Sequence, residues 1–269
     1  MMIPSMPSIA LPTGPYDWHP ERTPRALYNA RLAALRGVMT ERGITHAVVH
    51  GNGFDHGALA WLTHFTPKLG PAYALVPASD PLRLLFAGGP GMKPSAQRLT
   101  WVEDVAAIKS IEGDVKRWLG EMVAGEPVRL GLVEGASMLR GDWRKVQRAA
   151  GGQAHALDDE IDKARAQPSS AEIEAVARAH AIAALACETL SKLACPGADL
   201  RAAAIAMERA AYAAGAQDVR VRIGRRQGGP PTTLPDQPWP MTGPTQIVIA
   251  VRCDGAWAEA RFVLGTSGH

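Results

Sequence analysis

The 269-residue chain is 46% hydrophobic and 20% charged, with 29 Lys and Arg against 26 Asp and Glu, a net charge of +3. Apolar content at the globular norm with so few charges excludes a disordered tail or a coiled coil, and the length suits one large domain or two ordinary ones. The one local charge cluster, Arg220, Arg222, Arg225 and Arg226, reads as a solvated strand edge rather than a nucleic-acid footprint, because no aromatic residue interleaves with it.

After a Pro-rich leader over 1–22, Thr23-Pro24 predicts a helix start, since Thr caps free amides and proline's missing N–H is harmless at the first helical position. Tyr28, Leu32, Leu35 and Met39 then recur at helical spacing, and Gly43 closes the helix in a left-handed conformation. A strand follows over Ile44–His50, a turn at Gly51-Asn52-Gly53 and a short helix or irregular segment over Ala58–His64. Strands are predicted near Ala72–Pro77, Leu82–Ala87, Val105–Ile108 and Val128–Val133, with helices near Glu112–Val123 and Trp143–Ala150. Such alternation argues an α/β layer structure.

Ser169-Ser170-Ala171-Glu172 is a capping box, and it opens a long helix with a stripe at Ile173, Val176, His180, Ala183, Cys187 and Leu190. Cys195-Pro196-Gly197 breaks that helix, Asp199 caps the next, and the alanine-rich run Leu200 to Ala214 invites close packing before Gly215 ends it. Six prolines between Gln227 and Pro244 exclude a central strand or helix there. Strands Gln246–Val251 and Ala256–Leu264 finish the pattern, joined by an Asp254-Gly255 hairpin turn.

Three cysteines, Cys187, Cys195 and Cys253, lack CxxC spacing, so neither a disulfide framework nor a structural zinc site is indicated, and a cytoplasmic location is expected. Met1 to Pro15 has no basic n-region and is broken by prolines, unlike a signal peptide, and no run approaches the roughly 18 apolar residues of a membrane span.

Several local motifs, in order along nearly the whole chain, resemble the creatinase/aminopeptidase P/prolidase family, the pita-bread metallohydrolases. Arg31-Leu32 with Leu35 and Met39, then Gly43 to Val49, resembles that family's opening helix and strand, and Trp61-Leu62-Thr63-His64-Phe65 is similar to its Tyr-Leu-Thr-Gly-Phe. Ile161 to Lys163, Glu172-Ile173 and Cys195-Pro196-Gly197 resemble the start of the pita-bread domain. Gly215-Ala216 is similar to the Gly-Ala after its second helix, and Gly255 to Arg261 to its strand Gly-Tyr-x-x-Asp/Glu-x-x-Arg. The resemblance implies an N-terminal creatinase-like α/β domain with a mixed sheet over 23–160, then the first half of a pita-bread α+β domain over 161–269. It implies C–N bond hydrolysis, and a dimer in which one subunit's N-terminal domain lines the other's site.

Five metal ligands are implied, Asp, Asp, His, Glu and Glu, because two hard cations need bridging carboxylates to hold a hydroxide. With Glu259 at the second position, the first falls eleven residues earlier at Val248, amid Ile247, Ile249, Ala250 and Val251. None of these side chains binds a metal. Gly243-Pro244 replaces the family's Gly-Asp, no histidine lies between His180 and His269, and the later ligands of the family pattern are expected to be missing. The expectation is therefore a protein without the dinuclear site and without a cofactor. Its half-sheet would leave an apolar face and an edge strand open, predicting a homodimer or a hetero-oligomer with a related pita-bread chain. Neither a membrane nor a nucleic-acid partner is expected.

Two residues apart on one strand, Glu259 and Arg261 project to the same face, either as an ion pair that orders the strand or as a carboxylate and guanidinium presented to a small-molecule or peptide ligand. In the second case they are the candidate catalytic pair, with His64, Trp61 and Trp257 as candidate substrate contacts. His46, His50, Asp55 and His56 form a notional metal cluster, against which stands the plain reading of hydrogen-bonded histidines. His180 is expected in the core. Gly88-Gly89-Pro90-Gly91-Met92-Lys93 has the wrong spacing for a phosphate loop, and Pro94 stands where a Mg²⁺-binding Ser or Thr belongs.

Overall fold

The computed structural model describes residue 11 and residues 14–122, 128–193, 199–225 and 245–264. The chain divides into two compact units between Pro168 and Ser169.

The first unit is built on a six-stranded mixed sheet. Its strands are β1 (His46–Gly51), β2 (Ala72–Pro77), β3 (Arg83–Phe86), β4 (Asp104–Ala107), β5 (Leu130–Val133) and β6 (Ala154–Ala156), in the order β4-β3-β2-β1-β5-β6. β1, β2 and β3 pair antiparallel, whereas β4 joins β3, β5 joins β1 and β6 joins β5 in parallel. The helices are α1 (Arg25–Glu41), α2 (Gly57–Thr63), α3 (Lys93–Arg98), α4 (Ile111–Met122), α5 (Arg140–Ala149) and α6 (Asp158–Arg165). Leu35, Leu62 and Ile161 pack with Ala47, Val49 and Leu84 on one sheet face, and Val115, Trp118 and Val146 pack with Val48, Leu75 and Leu132 on the other. Helices on both faces explain why β1 and β2 are buried along their whole length instead of alternating.

In the second unit α7 (Ser170–Leu193) lies over β8 (Thr245–Cys253) and β9 (Ala256–Leu264), and α8 (Leu200–Ala213) lies over β7 (Asp218–Arg225). The three strands form an antiparallel sheet in the order β7-β8-β9. Local chemistry sets its boundaries. The Ser169 N–H donates to Glu172 Oε2 at 2.7 Å, and the Glu172 N–H donates to Ser169 Oγ at 3.3 Å, the reciprocal bonds of the capping box. Asp199 Oδ1 accepts from the Arg201 and Ala202 N–H groups. Asp254 at φ +47° and Gly255 at φ +84° make the two-residue turn whose twist suits a hairpin.

Several expectations are corrected. Helix α1 starts one residue later than proline at the first helical position requires, and the Thr23 hydroxyl donates to the His19 carbonyl instead of capping. The stripe of α7 is rotated: Ala175, Ala179, Ile182, Ala183, Ala186 and Leu190 face inward, while Ile173 and His180 are exposed. Small residues face inward because Ala203, Ala204, Met207 and Ala211 of α8 pack in the same core. Helix α3, strand β6 and helix α6 occupy stretches with no predicted element, and the glycine-rich segment at 88–93 runs into a 3-10 turn, Pro90–Met92. The Pro-rich stretch before Thr245, the break at Cys195-Pro196-Gly197 and most of the leader lie outside the described residues.

Asp254 ties the hairpin to α7. Its Oδ2 accepts from Arg178 Nε at 2.9 Å with its side chain 5% exposed, and the next residue, Gly255, donates its N–H to Gln217 Oε1 at 2.9 Å. Asp254→Ala removes the nearer of Arg178's two carboxylates, leaving Glu174 at 3.8 Å, and places alanine in a left-handed turn, so urea unfolding of the full chain should show a loss of about 1–3 kcal/mol. Asp254→Asn, which tolerates the backbone, should lose less; equal stability of wild type and Asp254→Ala would refute the tie.

Candidate functional site

The residues with the chemistry expected of a site gather on the sheet face of the second unit opposite its helices. Ile247, Ile249 and Val251 of β8 face the helical core with Val221, Ile223 and Ala258. Strand alternation then puts Arg220, Arg222, Val248, Ala250, Trp257, Glu259 and Arg261 on the other side. This face is charged, which corrects the expectation of an open apolar face.

Glu259 is its hub. Arg261 Nε donates to Oε1 at 2.6 Å, and Arg222 NH2 donates to Oε2 at 3.0 Å from across β8. The row beneath is aliphatic: Val248 pairs with Arg222 on one side and Arg261 on the other, and Ala250 pairs with Glu259. Short side chains on β8 let the Arg222 side chain cross it. The adjacent Arg220 guanidinium lies 4.8 Å from the Trp257 ring centroid. An aromatic residue therefore does accompany the arginine cluster, through a strand pairing that sequence order hides. The Arg225 side chain and Arg226 lie outside the described residues.

The same register tests the fit of a dinuclear centre. Val248 is the diagonal neighbour of Glu259 on one face, where a pair of carboxylates would have to converge. An isopropyl group has no donor, and both Glu259 oxygens accept from guanidiniums. Among the described residues no group of three or more His, Cys, Asp or Glu is placed to hold a metal ion. The described residues of this face do not fit the metal pair that the resemblance implies.

The remaining candidates lie in the first unit and do not converge. His46 is buried edge-on to Trp118 with its Nδ1 2.9 Å from Thr45 Oγ1. His50 is buried with Nδ1 3.1 Å from Ser137 Oγ, and His56 Nδ1 is 2.9 Å from the Asn52 carbonyl. Burial pushes both His46 and His50 below the ordinary histidine range, so each is held neutral. His64, where the resembled motif has glycine, ends α2 at φ +65° and is 6% exposed, with Nδ1 3.2 Å from the Leu99 carbonyl and its ring edge-on to Tyr28. Trp61 packs under the Arg31 guanidinium at 5.3 Å and accepts from it through its carbonyl.

Sequence reasoning missed a second polar cluster at the carboxyl ends of the adjacent parallel strands β1, β5 and β6. Glu134 follows β5 in a left-handed conformation at φ +57°. Its Oε1 accepts from the Ala58 N–H at 2.7 Å, its own N–H donates to Asp158 Oδ1 at 2.6 Å, and its carbonyl accepts from Ser137 Oγ at 3.0 Å. Burial, with Asp55 and Asp158 adding repulsion, pushes its carboxyl up to about 7. No motif announces it, because its partners come from three separate segments.

No family model and no curated protein matches the chain. Solved structures do. Similar folds are the X-Pro aminopeptidase from Thermotoga maritima MSB8 (TM-score 0.74, 18% identity, 88% of this chain and 65% of that chain) and the prolidase from Pyrococcus horikoshii OT3 (TM-score 0.71, 17% identity, 89% and 65%). The Xaa-Pro dipeptidase from Bacillus anthracis is also similar (TM-score 0.68, 15% identity, 90% and 66%). The chain has the creatinase/aminopeptidase P/prolidase fold. It spans about two thirds of the length of these pita-bread structures, with a mixed α/β first unit and an incomplete pita-bread part.

Within this pita-bread unit Arg222 and Arg261 are 41% and 70% exposed at their side chains, so the Glu259 bridges belong to the screened, surface class. Glu259→Gln should cost no more than about 1 kcal/mol in thermal unfolding at low salt, and the difference should shrink at high salt. A large, salt-independent loss would instead mark Glu259 as part of a buried or metal-bearing centre.

Proposed function

We propose that this chain is an Xaa-Pro peptidase-like protein without the dinuclear metal site, acting as a non-catalytic or accessory subunit. The observation that carries this reading is the pair of guanidiniums on Glu259 beside Val248, an arrangement that meets the carboxylate's need for positive charge without metal ions. Glu259 and Arg261, with Trp257 on the same face, remain the place where a small-molecule or peptide ligand would be read, while His64 and Trp61 belong to the first unit. In this reading the chain acts in the cytoplasm with a second pita-bread chain, as a homodimer or a hetero-oligomer. No described helix is long and apolar enough to cross a membrane, and Cys187 and Cys253 are free thiols.

Elemental analysis of the purified protein checks the proposal. Substoichiometric Mn, Co, Fe and Zn are expected, with no rise in melting temperature when any of these ions is added, since a ligand that binds only the folded state must raise it. Two equivalents of divalent cation retained through gel filtration would overturn it.

A second reading is that the chain is one half of a C–N bond hydrolase completed by a partner chain. It is favoured by β7 and β9 both being edge strands of the described sheet. Co-purification with a second chain carrying His and paired Glu supports this reading, and activity without such a chain excludes it. A metal-independent hydrolase or lyase using Glu259 as acid/base gains nothing from the geometry, because both carboxylate oxygens already accept from arginines.

A further inference from the structure

The carboxyl ends of parallel strands are where an α/β sheet leaves polar groups able to converge. Glu134 occupies that place at the junction of β5, α2 and α6. Its Oε1 receives the Ala58 N–H at the first turn of α2, while its Oε2 is buried with no hydrogen-bond partner and the side chain as a whole is 12% exposed. Its left-handed backbone, costly for a residue with a side chain, is held by the bonds to Asp158 and Ser137.

The segment this carboxyl secures is ordered and exposed. Asn52 Oδ1 accepts from the Phe54 and Asp55 N–H groups, the Asn52 N–H donates to the Asp55 carbonyl at 2.6 Å, and Asn52 Nδ2 donates to the Ser137 carbonyl at 3.2 Å. Phe54 at its tip is fully exposed. The Arg165 guanidinium lies against Gly57, where a β-carbon would meet it, and NH1 is 3.7 Å from Glu134 Oε1 but 3.2 Å from Asp162 Oδ1.

We propose that Glu134 is a pH-sensitive latch that holds the Asn52–Gly57 loop and the start of α2 against β5 and α6 when its carboxyl is neutral and releases them when it ionises.

Burial sets the direction, outweighing the Ala58 N–H bond that favours the ionised carboxylate, and the surrounding charges add to it or oppose it. From the loop come Asp55, which repels an ionised Glu134, and His56; from β1 comes His50, held neutral by burial and biased by Asp142 of α5; from α6 come Asp158, which also repels, and Arg165, which attracts but is shared with Asp162. Neutral Glu134 leaves no net charge on the unpartnered oxygen. Ionised Glu134 puts a charge there beside two carboxylates. Burial pushes the folded carboxyl up to about 7 from the ordinary 4.5, which a solvated, released carboxyl would regain. The closed loop therefore binds the extra proton between these values, and its stability falls as pH rises through them.

Hydrogen–deuterium exchange of the full chain at pH 6 and pH 8, corrected for base-catalysed intrinsic exchange, reads the latch directly. Protection of the 52–58 amides should drop about tenfold between these pH values, while the β1 and β2 amides stay unchanged. Glu134→Gln, neutral at every pH, should abolish the drop, and Asp55→Asn, which removes one repelling charge, should move its midpoint to lower pH. Loop protection that does not vary with pH in the wild type, or that drops equally in Glu134→Gln, overturns the proposal. Should Glu134→Gln not fold, an unmoved midpoint in Asp55→Asn overturns it as well.

Discussion

A carboxylate on a sheet face needs compensating positive charge, and how that need is met decides what the second unit is able to do. At Glu259 it is met by two guanidiniums, one from its own strand and one reaching over β8. The reach depends on Val248 and Ala250 being short and apolar. Carboxylates in that row would instead draw Arg222 onto β8 itself and add negative charge needing cations of its own. The aliphatic row and the arginine bridge are two sides of one arrangement.

The first unit meets a different electrostatic problem in a different medium. Its sheet is covered by helices on both faces, so the polar groups at the carboxyl ends of β1, β5 and β6 sit at the boundary of an apolar interior. There an unpartnered oxygen is costly when charged and tolerable when neutral. Glu134 and Glu259 are the same residue type in opposite circumstances: one is flanked by carboxylates and half-desolvated, the other is bracketed by arginines at a sheet surface. The likeness to Xaa-Pro peptidase structures extends over both units, yet neither cluster is specified by the fold alone.

Local chemistry was legible wherever the deciding atoms are close along the chain. The capping box at Ser169 and Glu172, the Asp199 cap, the Asp254-Gly255 turn and strand β2 all follow from neighbours within a few residues. The stripe of α7 was legible only as a period: spacing identifies a helix but not which of two adjacent stripes turns inward, and the approach of α8 selected the alanines. His64 shows the same limit, since its departure from glycine is plain in the sequence but its left-handed backbone and its packing against Tyr28 are not.

The sequence by itself determined most of the alternation of helices and strands, the caps at Ser169 and Asp199 and the absence of an oxygen donor at residue 248, because each depends on residue type and spacing along one segment. Only the tertiary structure decided that Arg222 crosses β8 to share Glu259 with Arg261, that Trp257 lies under Arg220, and that Ala58, Asp55, Asp158 and Arg165 converge on Glu134. Those contacts join residues far apart in the chain. Strand order, register and the desolvation of each charge exist only once the sheets have formed.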